Sequence, residues 1–393
     1  MSIINSKFNT FLKFLLFSFP VLIIQGPFAL NCFSVFFTIY ALINYKSIKK
    51  FMYFDKKITI IFFSFIVLLF PFESIDFKNA FFKYLSFFRF VLMLFGLIIF
   101  LEYESKKNNI ITKIYKIYVI LLAVIIIDVL VEYFSGHNLL GYSSDYIGRI
   151  ASFTNDELII GYIFGFLILF TLAYVSKKTN NFYFFIILSI FIIISFLIGE
   201  RSNFIKLFIL ILAFSLIYFF YSDKFQKKNL FIIVKLIFIF LFSFFEISKN
   251  TKPGKKLYNT FGNLIVLEDN KLSLNLKDEF YNSRHAYHYN AAYKIFLEYP
   301  LFGIGINNFY LESTKEKYLT KNYGAASNHP HQVYLEIISE VGLTGLIYFT
   351  FIFLYPIYYS IKSLKKHKQT VLLSHLFLHI FFIFPILPSG SIF

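Results

Sequence analysis

Eleven apolar runs, most of them long enough to cross a bilayer as a helix, leave this chain few ways to fold. They lie near residues 11–25, 28–45, 58–72, 83–102, 113–134, 157–175, 181–198, 203–221, 229–246, 334–359 and 369–387. A spanning helix takes roughly 20 apolar residues. The bilayer core holds no water to satisfy a stray amide, so such runs must close their backbone hydrogen bonds as helices. The apolar/polar alternation of a membrane barrel is missing. The third run is short and carries Pro71, which predicts a tilted, broken or partly spanning helix. The expected fold is an all-α integral membrane protein, a polytopic bundle of about 11–12 transmembrane helices.

Composition agrees. Hydrophobic residues make up 58% of the chain and charged residues 15%, against about 45–50% and about 25% in a soluble domain. The 59 Phe and 29 Tyr accompany heavy use of Ile, Lys and Asn, a bias toward AT-rich codons, so aromatic richness alone marks no site. Trp is absent, and Tyr takes over its interfacial anchoring. A net charge of +16 would suit nucleic acid as a partner, but the basic residues sit in short loops between apolar runs and form no continuous patch, so nucleic acid is excluded. Membrane lipids are the expected surroundings. Cys32 is the only cysteine, which rules out an internal disulfide and a cysteine metal cluster. The first run lacks a small-residue cleavage site and reads as a retained span.

Orientation follows from the lysines. One set of connections holds Lys46, Lys49, Lys50, Lys56 and Lys57, then Lys106, Lys107, Lys113 and Lys116, then Lys177 and Lys178. It continues with Lys224, Lys227 and Lys228, then Lys362, Lys365, Lys366 and Lys368, and the N-terminal Lys7 and Lys13 share its side. The opposite short loops hold only Lys78, Lys83, Arg149 and Arg201. The lysine-rich side, with the N-terminus, is expected in the cytoplasm. Residues 26–27, 73–82, 135–156, 199–202 and 247–333 then lie outside, and an odd number of spans puts the C-terminus there too. This divides the chain into helices 1–9 over 1–246, a large outer loop over 247–333 and C-terminal helices over 334–393. Polar loops of that length are usually functional or disordered. This one carries Pro253-Gly254, an amphipathic stretch from Ser283 to Tyr299, a Pro300/Gly303/Gly305 turn and a Tyr/Lys-rich stretch before Asn328.

Soluble-enzyme signatures are missing: no phosphate loop with Lys, no dinucleotide fingerprint, no His-Glu-x-x-His. His285/His288 and His329/His331 have spacings that could hold a metal. The plainer reading is polar loop residues, and no metal or other cofactor is expected. Four outer spots stand out. Gly199-Glu200-Arg201-Ser202 opens a membrane helix, where free amides attract anions while Arg opposes the dipole; an anionic ligand would resolve that conflict. Its plainer reading pairs Arg201 with Glu200 or a lipid headgroup. Arg149, in Gly148-Arg149-Ile150-Ala151-Ser152-Phe153, precedes a span; alone it reads as a solvated loop cation. Arg284 begins the amphipathic stretch, or makes a surface salt bridge. The fourth, Asn328-His329-Pro330-His331-Gln332, runs into Gly342-Leu343-Thr344-Gly345, two glycines that permit close helix packing. A His at a water–membrane boundary can accept a proton from a hydroxyl, although a lone His is more often structural. Taken together, three arginines and a histidine on outward segments could form one site, with guanidinium forks for a pyrophosphate and an imidazole for a hydroxyl.

These residues resemble the bacterial O-antigen ligase and O-antigen polymerase superfamily. Its hallmark is His followed by Asn, Ser or Gln, nine residues, then Gly-x-x-Gly; here His331-Gln332 precede Val333 to Val341 and then Gly342 to Gly345. Glu298 to Phe309 resembles the family's Pro-hydrophobic-Gly-x-Gly segment, and Gly199 to Ser202 its Gly-x-Arg-Ser turn. Arg149 to Phe153 resembles its Arg-x-Gly-x-Phe segment with Ala151 in place of Gly. The similarity covers roughly 145–350. The resemblance implies glycan transfer on the periplasmic face of the bacterial inner membrane, from an undecaprenyl-pyrophosphate-linked donor and without a metal. Arg201 and Arg284, with Arg149 as a weaker third, would hold the pyrophosphate; His331 would be the general base, supported by His329, Gln332, Gly342 and Gly345. The family commonly has about twelve spans, and this chain shows one fewer. The acceptor is lipid A-core for a ligase or another lipid-linked glycan for a polymerase, and the compact His-to-Gly spacing leans toward a ligase. A flippase or transporter would call for inverted repeats and charged or broken midplane helices. Only scattered ionisable residues (Arg89, Asp128, Lys206, Lys235) and no repeat are found.

Overall fold

The computed structural model describes residues 3–48, 56–105, 109–146, 148–154, 159–221, 234–235, 237–238, 265–268, 271–274, 284–318, 327–367 and 370–384. In chain order the elements are α1 (Ile3–Ile24), α2 (Pro27–Ile43), α3 (Lys56–Leu68), α4 (Phe77–Ser105), α5 (Ile110–Ser135), α6 (Ile160–Lys178), α7 (Asn181–Ile198) and α8 (Arg201–Tyr221). There follow β1 (Ile265–Glu268), β2 (Lys271–Leu274), α9 (Arg284–Glu298), α10 (Phe309–Ser313), α11 (Val333–His367) and α12 (Thr370–Phe382). A 3-10 turn at Ser152–Thr154 precedes α6. Among the described residues, six helices are long and apolar enough to cross a membrane, as an all-α polytopic membrane protein requires. Most of the expected run at 229–246, Pro253-Gly254, residues 319–326 before Asn328 and the tail from 385 lie outside the described residues. The antiparallel hairpin β1–β2, pairing Ile265 with Leu274, is an addition to the expected helices.

The chain divides into two compact units. The first comprises 1–30, 109–274 and 357–382. Its centre is α6, apolar on every side; Leu167, Ile168, Leu169, Leu172 and Ala173 are wholly inaccessible, and the face of Tyr162, Phe166, Phe170 and Tyr174 is part-buried. Helices α1, α5, α7, α8 and α12 pack around it. Gly165 lets the Phe381 ring of α12 sit against the α6 backbone, where a Cβ would collide with it. The Ser374 hydroxyl donates to the Leu169 carbonyl. Pro20 lacks an amide and so frees the carbonyl of Leu16, four residues back; the Tyr118 hydroxyl of α5 takes that acceptor at 3.1 Å.

The second unit comprises 31–108, 275–356 and 383–393. One core joins Phe65 of α3 and Leu69 just after it, Tyr84 of α4, and Val333, Ile337, Val341, Tyr348 and Phe349 of α11. Phe65 and Tyr84 stack at 5.4 Å. A smaller core lies beneath α9 and α10: Ala291, Ala292, Ile295, Ile304, Phe309 and Tyr318.

Candidate active site

The sequence-expected residues fall into two groups, an arginine group in the first unit and a histidine group in the second. The arginine group begins with two acidic residues on α5. Asp128 and Glu132 are one turn apart and buried, and an uncompensated buried carboxylate is costly. Both are compensated by the loop that follows Gly136. Asp128 accepts the Leu139 amide at 2.8 Å and the Ser152 hydroxyl at 2.5 Å. Glu132 accepts the amides of Ala151 at 3.0 Å and Ser152 at 2.6 Å. The Asn138 side chain donates to the Ser152 carbonyl at 2.6 Å. Ser152 itself is held at φ 49°. These bonds fix the segment that carries Arg149.

That segment is also tied to the turn that carries Arg201. The Ile150 amide donates to the Ile198 carbonyl at 3.0 Å. Gly199, at φ 79°, ends α7, and a Cβ there would strike the Gly148 carbonyl. Only glycine permits both the left-handed turn and the approach. The next residue, Glu200, turns inward: its carboxylate accepts the Gly161 amide at 2.7 Å and the Asn203 side chain at 2.6 Å. Burial holds its carboxyl above the usual range. Arg149 and Arg201 are both part-buried and near enough for their charges to repel. The Arg149 Nε has no hydrogen-bond partner. Two guanidinium groups held together by backbone geometry form an electropositive spot suited to a multiply charged anion.

The histidine group is set by α9 and the head of α11. On α9, His288 shares the buried face of Ala291, Ala292 and Ile295, and His285 lies exposed one turn earlier. The His331 ring lies 4.2 Å from that of His329, 5.4 Å from His288 and 5.5 Å from His285, between centroids. The Ser327 hydroxyl is 3.3 Å from His331 Nε2. Burial, then the neighbouring imidazoles, pull the His331 pKa down to about 4, and burial lowers His329 as well. No group of three or more His, Cys, Asp or Glu placed to hold a metal occurs among the described residues. His331 has φ 58°, uncommon for a residue with a side chain and a mark of functional or strained positions. Arg284 is the first residue of α9, adjacent to His285.

Gln332 explains why a polar residue follows His331. Its side-chain oxygen accepts the Leu335 amide at 2.8 Å, capping the third amide of α11, and its carbonyl accepts the Glu336 amide at 3.0 Å. Ten residues on, the helix breaks at Gly342, with φ 62° and ψ −156°. The expectation of close helix packing at this glycine is corrected here: its neighbour is the loop after α9. A Cβ on Gly342 would strike Leu301, and one on Gly303 would strike Glu340 and Val341. The amides of Leu343 and Thr344 donate to the carbonyls of Pro300 and Leu301, at 2.8 and 3.1 Å. The carbonyls of Ser339 and Glu340 accept from Ile304 and Gly305, at 3.1 and 2.8 Å. The loop thus replaces the helical bonds lost at the break. Gly345 sits within the helix, under the side chain of Val341. Glu340, not singled out in the sequence, completes the joint by accepting the amides of Asn307 at 2.8 Å and Phe309 at 3.1 Å. An acidic residue inside an apolar helix is the signal that could have found it, as for Glu132.

Comparison with known proteins gives one family. Residues 164–350 match the model of the O-antigen ligase family. The match runs from α6 into α11, includes Arg201, Arg284, His331 and both glycines, and leaves Arg149 outside. No curated protein matched.

Proposed function

We propose, from the match of residues 164–350 to the O-antigen ligase family model, that the chain moves a glycan from undecaprenyl pyrophosphate to a lipid A-core acceptor, on the periplasmic face of the bacterial inner membrane. Arg201 and Arg284, with Arg149, bind the pyrophosphate. His331 removes the proton of the acceptor hydroxyl as that oxygen attacks the anomeric carbon. The bond from that carbon to the phosphate oxygen breaks, and undecaprenyl pyrophosphate leaves with the electron pair. The leaving group is already an anion, so guanidinium charge takes the place of a divalent metal. The observation that carries the reading is the placement of His331, at a left-handed backbone angle with the rings of His285, His288 and His329 gathered around it; burial and those neighbours lower its pKa, so the ring is neutral and free to accept a proton at neutral pH.

Complementation tests this in two bacterial hosts, one lacking its ligase and one its polymerase, read as lipopolysaccharide ladders. Glycan restored on lipid A-core by the wild type and lost with His331→Ala supports the proposal. A ladder restored only in the polymerase-deficient host would make the acceptor another lipid-linked repeat. Full activity of His331→Ala at normal protein level would overturn the base assignment.

A further inference from the structure

Arg89 is one of the ionisable residues scattered through the apolar runs, and the proposed transfer makes no use of it. It lies well inside α4, in the second unit, and an arginine at that depth calls for a partner or a function. Close packing against α2 fixes its position. A Cβ on Gly96 of α4 would strike the Phe37 carbonyl of α2, and the Thr38 hydroxyl donates to the Arg89 carbonyl at 3.0 Å. The contacts step along both helices in the same sense, Asn31 and Thr38 against Arg89, then Ala41 against Gly96. A helical side chain leans toward the N-terminus of its helix, so the guanidinium reaches back toward the start of α2. There Nη2 donates to Asn31 Oδ1 at 2.7 Å, one turn into α2. The Arg89 Cζ also lies 5.0 Å from the centre of the Phe90 ring.

These contacts leave the charge uncompensated, because a carboxamide and a phenyl ring are both neutral. The Arg89 Nε has no acceptor, and no carboxylate pairs with Arg89 among the described residues. Asn31 is exposed, and with Oδ1 taken by the guanidinium its Nδ2 is left to donate. Val35 of α2 and Leu85 and Phe90 of α4 are exposed on the same two helices, as a surface covered by lipid chains would be.

We propose that Arg89 and Asn31 bind the phosphate headgroup of an anionic phospholipid, whose acyl chains lie along α2 and α4. Phosphate oxygens accept from the guanidinium and from the carboxamide nitrogen. An ethanolamine phospholipid would bring its own ammonium to a place with no carboxylate to receive it, so a headgroup of net negative charge is favoured. Arg89 and Asn31 lie outside residues 164–350.

The test uses the purified full-length protein, delipidated in detergent, with phosphatidylglycerol, phosphatidylethanolamine and inorganic phosphate as probes. Retained lipid is counted by native mass spectrometry, and melting temperature is followed in parallel. Wild type should keep a tightly held phosphatidylglycerol that Arg89→Gln binds roughly tenfold more weakly. Asn31→Asp sets a carboxylate against the guanidinium; it should lose the same lipid, yet melt at or above the wild-type temperature when no lipid is added. Phosphatidylethanolamine held as tightly as phosphatidylglycerol, or phosphatidylglycerol retained unchanged by Asn31→Asp, would overturn the site. An equal rise in melting temperature with inorganic phosphate alone would overturn the lipid as its occupant. The Asn31→Asp comparison stands even if Arg89→Gln fails to fold.

Discussion

His331 combines a left-handed backbone with an imidazole whose proton affinity is reduced. The fold favours the neutral ring, so the base form is present from about pH 4 upward. If His331 is the base, the acid limb of the transfer rate should lie well below the usual histidine range near 6.5, and His288→Ala should move it upward by removing one neighbouring imidazole. A limb near 6.5 that His288→Ala leaves in place would contradict this. The linked effect on stability has the same sign: the depressed pKa favours the folded state fully above the unfolded value, and that contribution is lost as pH falls toward about 4. Beside it, Gln332→Ala should cost about 1 kcal/mol through loss of the α11 cap, with Gln332→Asn costing less, read as melting temperature in detergent. The pairing of His331 with Gln332 and the glycine spacing were legible from sequence. The approach of His285 and His288 was not, because it depends on how α9 packs against residues distant in the chain.

The joint between the loop after α9 and α11 accounts for two separate motifs by one contact. The Pro-hydrophobic-Gly-x-Gly segment supplies the backbone groups that the Gly342 break leaves unpaired, so each glycine serves the other's segment. Gly342→Ala and Gly303→Ala should each destabilise by about 2–5 kcal/mol, from left-handed strain plus collision. The double variant should cost less than the sum, since both disrupt one contact; strict additivity would contradict the joint. In the first unit, Glu132→Ala should leave two buried amides unpaired, at about 1–3 kcal/mol each. Hydrogen exchange should then rise at Ala151 and Ser152. Sequence periodicity located α11 but passed over its break, because Gly342 resembles any helix-packing glycine until the loop partner is placed.

Across the whole chain, every expected apolar run outside 229–246 coincides with a helix, with ends shifted by up to eight residues. Hydropathy is legible because the bilayer permits so few backbone solutions; the hairpin β1–β2 carries no such constraint and was not foreseen. Sidedness is open to a direct check, since Cys32 is the only native cysteine. In a Cys32→Ser background, Asn290→Cys on α9 should react with a membrane-impermeant maleimide in intact spheroplasts, and Lys177→Cys at the end of α6 only after permeabilisation. The reverse pattern would put the proposed chemistry on the wrong side. The function is tested most directly by transfer with the purified protein in liposomes, supplied with an undecaprenyl-pyrophosphate-linked glycan and lipid A-core. Glycan on lipid A-core is expected from wild type, none from His331→Ala at equal folded protein, and no loss on chelation; product formed equally by the variant, or abolished by chelator, would contradict a metal-independent transfer with His331 as base.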